Sequence, residues 1–436
     1  MEETHPYSPK KLVTITHPKW CKNAVMYQIN IRQFTPQGTF NAALTHLPRL
    51  KELGVDIIYL MPINPIGLKN RKGSLGSPYA VQDYWGVNPE FGNIDDFKAF
   101  VQAIHDQGMY VILDWVANHS AWDNVLVDSY PEWYSQDYKG DFHPTPWWDW
   151  DDIIDFDYSH SELRKYMAAA MLYWVKDLDI DGYRCDVGGM VPTDFWEQVR
   201  HDLEQIKPVF MLAEWETRDM HYAAFDMTYA WTWNEVMHAI CMGHGKIEKL
   251  FKYYSWHEKS YPREAIKMTF VSNHDKNAWD GTEFEQFGQG LKCAVVLSFT
   301  GDGMPLIYNG QEAGNPKRLA FFERDPIDWR EHGIGDFYQK LIVLKKAKSA
   351  LANGQWGAIM RHVPNSAPSA ILSFVRLDEN GGVFVMLNLS GQHLTVKFSG
   401  SLQHGSYHDY FNQHEVDVDA DFTVEIAPWD YRVWVK

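Results

Sequence analysis

An arginine and an aspartate stand two residues apart at the end of the short apolar stretch GYRCD, residues 182–186. In an extended strand, residues i and i+2 point to the same side, so Arg184 and Asp186 share one face. An arginine held against an aspartate keeps that carboxylate ionised and oriented, which suits a nucleophile. Taken alone, the pair is better explained as a buried salt bridge at the end of a core strand.

Other ionisable side chains follow apolar stretches of the same kind: Asp114, His119, Glu214, His274 and Asp275. Each alone could be a helix cap, because an aspartate after a strand often begins the next helix. Their recurrence at several strand ends, with two histidines beside them, instead favours convergence on one pocket.

Paired carboxylates cleave glycosidic bonds when one protonates the departing oxygen and the other attacks the sugar or activates water. Glu214 ends an apolar run and precedes Trp215. We therefore expect burial to raise its pKa toward the value that an acid catalyst needs. The sequence gives no distances, so the residues alone leave retaining and inverting mechanisms open.

The elements that must position these residues alternate between apolar strands and helical patterns, which favours parallel βα units. The strand candidates begin at Ala24, Val55, Met109, Gly182, Val209, Phe225, Met268 and Pro305. Eight such units predict a closed (β/α)8 TIM barrel, with its active site at the C-terminal ends of the strands.

Two regions depart from this alternation. Between residues 120 and 158 the periodicity disappears and the composition turns to Trp, Asp, Tyr and Pro, which indicates an insertion after the third strand. From about residue 355, short alternating strands with turn signals predict an all-β sandwich. The predicted domains are a barrel in two parts (1–119 and 159–354), the insertion (120–158) and the C-terminal sandwich (355–436).

Composition narrows the range of partners. The chain has 436 residues, 45% hydrophobic and 22% charged, enough for a sizeable core. A formal net charge of −17 argues against nucleic acid or an anionic membrane as a partner, since both need basic patches. The aromatic content of 15% suits stacking on sugar rings, although most aromatic residues are expected in the core. The oligomeric state stays open.

The cysteines and the N-terminus bear on the compartment. Four widely spaced cysteines without a CxxC motif predict free thiols rather than a disulfide framework or a zinc site. The N-terminus lacks the apolar core of a signal peptide, and no stretch approaches a membrane span. We expect a cytoplasmic protein from the chain as given, or a periplasmic or secreted one if a signal has been removed.

Four segments, DWVANH, GYRCD, LAEW and SNHD, occur in this order at residues 114–119, 182–186, 212–215 and 272–275. Together they resemble the four signature regions of the α-amylase family of glycoside hydrolases. The stretches VMYQINIRQF, SPYAVQDY and IYNGQE resemble other parts of that family, so the similarity covers nearly all of the chain. The insertion corresponds to the family's B domain, here short, and the tail to its C domain.

The resemblance implies a retaining mechanism on α-glucosidic bonds. By position, Asp186 matches the nucleophile and Glu214 the general acid/base. Asp275 matches the carboxylate that grips sugar hydroxyls and stabilises the transition state.

Other matched positions concern sugar binding where cleavage occurs. Arg184, His119 and His274 match residues that bind the sugar there, and Tyr79 matches the aromatic platform beneath it. Asp114 matches a supporting acid that anchors the barrel end near Arg184.

The resemblance also bears on calcium. Asn118 matches a family calcium ligand, yet many members follow the nucleophile with a Lys-His pair where this chain has Gly189 and Met190. The acidic calcium loop that some members carry after the first strand is replaced by TPQGTF, residues 35–40. We therefore expect no required cofactor and no catalytic metal, with a structural calcium as the disfavoured alternative.

The leading hypothesis is a retaining hydrolase of α-glucosidic bonds, α-1,4 first, in starch-derived glucans or maltooligosaccharides, acting through a covalent glycosyl-aspartate. The alternatives are an α-glucan transglycosylase or an α-1,6-acting glucosidase with the same site, since Val187 resembles the pattern of some α-1,6-acting relatives. A noncatalytic glycan-binding protein on the same fold is the remote alternative, because such relatives usually lose one of the three carboxylates retained here.

Overall fold

The computed structural model describes residues 7–436. Within them, eight parallel strands close into a barrel in which each strand pairs with its neighbours in sequence and the first pairs with the eighth. The barrel strands are Met26–Ile29, Ile57–Leu60, Tyr110–Trp115, Gly182–Cys185, Phe210–Ala213, Met227–Tyr229, Ile266–Thr269 and Met304–Tyr308. Each coincides with a predicted strand candidate, so the predicted (β/α)8 barrel is confirmed.

The barrel strands are buried along almost their whole length, which explains why they appear in the sequence as continuous apolar runs. Their inward side chains, such as Met26, Tyr59 and Leu212, form one core inside the barrel. The outward side chains pack with the helices in a second, larger core. The α-helices are Ile31–Phe34, Phe40–Ala43, Leu47–Leu53, Ile94–Asp106, Ser161–Lys176, Thr193–Glu204, Met220–Ala223, Trp231–Cys241, Glu248–Ser260, Glu283–Phe287, Leu291–Thr300 and Gly333–Ala347.

The fourth strand shows why the central motif begins with glycine. Gly182 has a φ of +150°, and a Cβ at this position would lie 1.9 Å from the carbonyl oxygen of Phe210 on the fifth strand. Only glycine fits so close an approach of two backbones. The parallel register then places Asp114 beside Arg184, which brings the two strand ends into one charged group.

The insertion after the third strand contains little regular structure. Its strands His119–Ala121 and Ile153–Asp155 pair antiparallel, and a 3₁₀ turn covers Pro131–Trp133. Buried Trp133 and Tyr134 pack against the main core and hold the segment on the barrel. The segment thus lies at the C-terminal end of the third strand, where the site was predicted.

The C-terminal region consists of two antiparallel sheets, one of six strands and one of two. Phe384 and Trp434 from the larger sheet share a core with Val396 and Ile426 from the smaller one, which confirms a sandwich. The sequence patterns did not predict three of these strands, nor the two-residue strand Arg361–His362. The strands are Arg361–His362, Ile371–Asp378, Gly381–Asn388, Leu394–Lys397, Gly405–Asp409, Glu415–Val418, Thr423–Ile426 and Tyr431–Val435.

The cysteines and the membrane expectation can also be compared with the structure. All four cysteines are free thiols, and Cys21, Cys185 and Cys293 are buried. Across residues 7–436, no helix combines the length and the apolar character needed to cross a membrane. The first six residues of the stretch used for the signal-peptide expectation lie outside the described residues.

Candidate active site

A cleft of about 1000 Å³ opens at the C-terminal ends of the barrel strands. The predicted site residues that line it are Tyr79, His119, Asp186, Glu214, His274 and Asp275. Arg184 and Asp114 are fully buried in its floor. The structure therefore brings together residues that are separated by almost two hundred positions in the sequence.

Arg184 is the centre of the charged floor. Its Nη1 lies 2.7 Å from Asp114 Oδ1 and 2.9 Å from Asp186 Oδ1, and both contacts are hydrogen bonds. Its Nη2 lies 2.8 Å from Glu214 Oε1. This contact is an ion pair, because its angles do not meet those of a hydrogen bond. The sequence placed Asp186 beside Arg184, and the family resemblance placed Asp114 near it; the ion pair with Glu214 was not predicted.

The protonation of Asp186 differs from the expectation that Arg184 alone keeps it ionised. Burial raises the pKa of Asp186 to about 7, and the nearby Arg184 guanidinium opposes that rise without cancelling it. The physical reason is that Arg184 also faces the carboxylate groups of Asp114 and Glu214, so its charge is shared. Arg184 therefore lowers the pKa of Asp186, as expected, but burial outweighs its effect.

Burial raises the pKa of Glu214 well above its ordinary value, against the opposing charge of Arg184; the negative charge of Asp186 adds to the rise. This confirms the expected direction for an acid catalyst. Between Asp186 and Glu214, Glu214 is the one better suited to hold the proton.

Val187 connects these two carboxylates. Its backbone N–H donates a hydrogen bond of 2.8 Å to Glu214 Oε2. Val187 adopts the left-handed conformation, with φ +38° and ψ +46°, which a β-branched residue rarely takes and which costs about 1–3 kcal/mol. The strained turn directly after Asp186 is what aims this amide at the carboxylate of the next strand.

Tyr79 and His274 form a fixed hydrogen-bonded chain beneath the cleft. Gln28 Nε2 lies 2.8 Å from His274 Nδ1, and His274 Nε2 lies 2.7 Å from the Tyr79 hydroxyl, which donates to Asp114 Oδ2 at 2.8 Å. Because an amide nitrogen can only donate, His274 Nδ1 accepts and the ring proton sits on Nε2. Burial lowers the pKa of His274, which favours this neutral form. This series of hydrogen bonds fixes the orientation of the Tyr79 ring.

His119 lies on the opposite flank of Asp186. Its Nε2 is 3.8 Å from Asp186 Oδ2. Burial lowers the pKa of His119 to about 4, although Asp155 and Asp152 oppose the shift. A neutral imidazole at this place can exchange hydrogen bonds with a sugar hydroxyl without adding charge to the floor.

Asn118 lies behind His119, at the position that resembles a calcium ligand. Its side-chain amide donates to Asp155 Oδ1 at 3.3 Å, and Thr145 donates to the same oxygen. Among residues 7–436, no group of three or more His, Cys, Asp or Glu side chains is placed to hold a metal ion. One oxygen of the Asp155 carboxylate is therefore occupied by two protein donors in this arrangement.

The rim of the cleft consists of aromatic side chains, of which sequence reasoning had named only Trp215: Trp148, Trp150, Trp215, Trp279, Phe321 and Phe322. Trp148 and Trp150 stack with ring centroids 4.8 Å apart, and Phe321 continues the nearly parallel rings of Tyr79 and His274. The motif TPWWDWDD, residues 145–152, could have indicated Trp148 and Trp150 as binding residues, because three tryptophans among eight residues with three aspartates are unusual.

Comparison with known proteins places this arrangement in a family. A profile described as "Alpha amylase, catalytic domain" matches residues 20–350. The chain belongs to the α-amylase family. α-Amylase MalA of Haloarcula japonica is 27% identical over 95% of this chain, which spans 63% of that protein's length. A cyclomaltodextrinase of a Bacillus species is 27% identical over 86% of this chain and 76% of its own length.

Solved structures of the family have the same fold. The noncanonic maltogenic α-amylase AmyB of Thermotoga neapolitana superposes with a TM-score of 0.86 at 31% identity, over 95% of this chain and 99% of that one. An α-amylase of Lactobacillus plantarum gives 0.85 at 30% identity, over 96% and 99%. The barrel and the C-terminal β domain therefore form one unit of a known family.

After Asp186 this chain carries Gly189 and Met190, the positions at which the resemblance had led us to look for a Lys-His pair. The indole of Trp215 lies flat against Gly189, and a Cβ at that glycine would lie 2.1 Å from the ring. Any side chain at position 189 would displace Trp215. The glycine is thus linked to the tryptophan that follows Glu214.

Proposed function

We propose that this protein is a retaining glycoside hydrolase that cleaves α-glucosidic bonds, α-1,4 bonds first, in starch-derived glucans or maltooligosaccharides. The observation that carries the proposal is the buried Arg184 that holds Asp186 and Glu214 in one cleft, where burial raises the pKa of both carboxyl groups. Membership of the α-amylase family supports it, as do the names of relatives that are amylases and cyclomaltodextrinases.

In the first step, a glucosyl unit rests on the ring of Tyr79, with its anomeric carbon toward Asp186. A carboxylate oxygen of Asp186 attacks that carbon, and the glycosidic bond breaks as Glu214 transfers its proton to the departing oxygen. The product of this step is a covalent glycosyl-aspartate. Asp275, partly exposed beside His274, is placed to grip the sugar hydroxyls.

In the second step, Glu214 is a carboxylate and takes a proton from a water molecule at the anomeric carbon. The hydroxide oxygen bonds to that carbon, the bond to Asp186 breaks, and the product keeps its α configuration. Asp186 is freed as a carboxylate beside Arg184, so the cycle closes. Each proton moves between Glu214 and an oxygen of substrate or water, and we assign calcium no part in these steps.

The test is product analysis. Wild-type protein is incubated separately with maltoheptaose, isomaltose, pullulan and starch, and products are followed by chromatography and by proton NMR of the first anomer formed. We expect shorter maltooligosaccharides in the α configuration. A β anomer as the first product would overturn the retaining mechanism, longer glucans would show a transglycosylase, and release of glucose from isomaltose alone would show α-1,6 action.

A further inference from the structure

A loop after the second barrel strand, residues 69–77, spans the cleft on one side. We call it the bridging loop. At one end, Lys72 Nζ donates to the carbonyl oxygen of Asp149 and lies 3.7 Å from carboxylate oxygens of Asp151 and Asp152. These three acids belong to the insertion after the third strand. The loop is thereby tied to the segment that carries Trp148.

Farther along, the same loop is tied to the segment after the eighth strand. The backbone N–H of Ser74 donates to Glu323 Oε1 at 2.8 Å, and its hydroxyl donates to the other oxygen of that carboxylate. The N–H of Leu75 donates to the carbonyl oxygen of Phe322 at 3.2 Å. Lys72 and Phe322 both line the cleft, so the loop and its two attachments form a continuous wall.

The wall is held from behind by a buried arginine. Arg32 donates to the carbonyl oxygens of Gly76, at 2.8 Å, and Leu75, at 3.2 Å, and pairs with Glu90. Gly73 packs so closely that a Cβ there would lie 2.5 Å from Phe322 Cβ. The bridging loop is therefore a fixed part of the cleft.

The position of this wall in the barrel indicates which end of a bound substrate it faces. It joins loops that follow strands eight, two and three; strands eight and two flank strand one in the closed barrel, and strand three lies next to strand two. Glu214 follows strand five, which lies diametrically across the barrel from strand one. Because Glu214 protonates the departing oxygen, its side receives the leaving chain, and the wall stands on the donor side beyond Tyr79.

We propose that the bridging loop closes the donor end of the cleft, so that the enzyme binds the non-reducing end of a glucan and releases a short glucoside from it. This inference rests on the proposed function, because the donor side is defined by the role of Glu214. A glucan that extends beyond the donor end would meet the wall, so we expect little attack within a chain.

The test uses 4-nitrophenyl α-maltoheptaoside and the same compound with a 4,6-ethylidene group on its non-reducing glucose. Products are separated by chromatography, and the nitrophenyl group marks the reducing end. For the wild-type enzyme we expect one short unlabelled product from the free substrate, and cleavage of the blocked substrate slower by about fiftyfold or more. Equal rates on the two substrates would overturn the inference.

The double variant Lys72→Ala, Glu323→Ala removes the side-chain contacts that tie the bridging loop to its two neighbouring segments. We expect the ratio of its rate on the blocked substrate to its rate on the free substrate to rise about tenfold. The matched control is Lys69→Ala, because Lys69 lies on the same loop but over Trp122 rather than on the wall's attachments. An unchanged ratio of blocked to free rates in the double variant would also overturn the inference.

These outcomes separate the inference from the function on which it rests. No cleavage of the free substrate by wild-type protein would contradict the proposed hydrolase itself. Cleavage of both substrates at equal rates would leave the proposed hydrolase intact and contradict the closed donor end. The comparison of the two substrates with wild-type protein needs no substitution. It therefore tests the closed donor end even if a variant folds poorly.

Discussion

The floor and the rim of the cleft are built in opposite ways. In the floor, Arg184, Asp114 and His274 are buried, and each has at least two polar partners at fixed distances. At the rim, Trp148 and Trp279 are 54% and 56% exposed and contact mainly other rings. The floor can therefore stabilise one arrangement of charge, whereas the rim offers flat apolar surface. We infer that the residues at the strand ends determine the reaction and that the loops determine which glucan is bound.

The largest effect should come from the floor residue that attacks the sugar. Asp186→Asn preserves the shape of the side chain and an oxygen for Arg184, but it removes the nucleophile. We expect kcat on maltoheptaose to fall on the order of 10⁵-fold. Binding of maltotetraose, measured by calorimetry, should change less than about threefold, because the rim and Tyr79 are untouched. More than a tenth of the wild-type kcat would contradict the assignment.

The next effect should depend on the leaving group. Glu214→Gln cannot donate a proton, so we expect kcat/KM on maltooligosaccharides to fall by about 10²–10⁴-fold. On α-maltosyl fluoride, whose leaving group needs no proton, kcat for glycosylation should fall less than about tenfold. Equal losses on both substrates would mean that Glu214 does not act as the acid.

The same pair predicts a bell-shaped pH profile. Asp186 must be ionised, so kcat/KM should rise with pH through its pKa of about 7. Glu214 must be protonated, so kcat/KM should fall as pH rises through its elevated pKa. In Glu214→Gln assayed with the fluoride, the alkaline limb should vanish while the acid limb stays. An alkaline limb that persists there would assign it to another group.

A third effect should appear in stability as well as in rate. Asp114 accepts from Arg184, Tyr59 and Tyr79 within the buried floor. Asp114→Asn leaves Arg184 with less compensating charge, so we expect the free energy of unfolding to fall by about 3–5 kcal/mol. Urea denaturation followed by tryptophan fluorescence measures this change. The conservative variant Tyr59→Phe, which removes one donor to the same carboxylate, should cost only about 1 kcal/mol.

The contrast between floor and rim also explains what the sequence could reveal. Asp186 and Glu214 were predictable because each ends a continuous apolar run, and strand ends of a barrel meet at one face. The ion pair between Arg184 and Glu214 was not predictable, because it depends on how two strands are staggered. The left-handed turn at Val187 was equally hidden, since valine normally disfavours that conformation.

Elements without a periodic pattern were missed for a related reason. Phe321 lies between the eighth strand and the last barrel helix, in irregular backbone where only tertiary contacts fix its place. In the strand Gly405–Asp409, Tyr407 and Asp409 are buried while the first two residues are exposed, so alternation of apolar residues was absent. Burial of a single aromatic residue among polar neighbours gives no strand signal that composition can detect.

The smallest effect should come from the rim, where two adjacent tryptophans give a matched pair. Trp148 lines the cleft and stacks on Trp150, whereas Trp147 is fully exposed and lies outside the cleft lining. Since a ring that contacts sugar contributes to binding but not to bond breaking, Trp148→Ala should raise KM for maltoheptaose about fivefold and leave kcat within about twofold. Trp147→Ala should leave both constants within about twofold. If Trp148→Ala instead lowered kcat with KM unchanged, the rim would position the reacting atoms, and the division between floor and rim would be wrong.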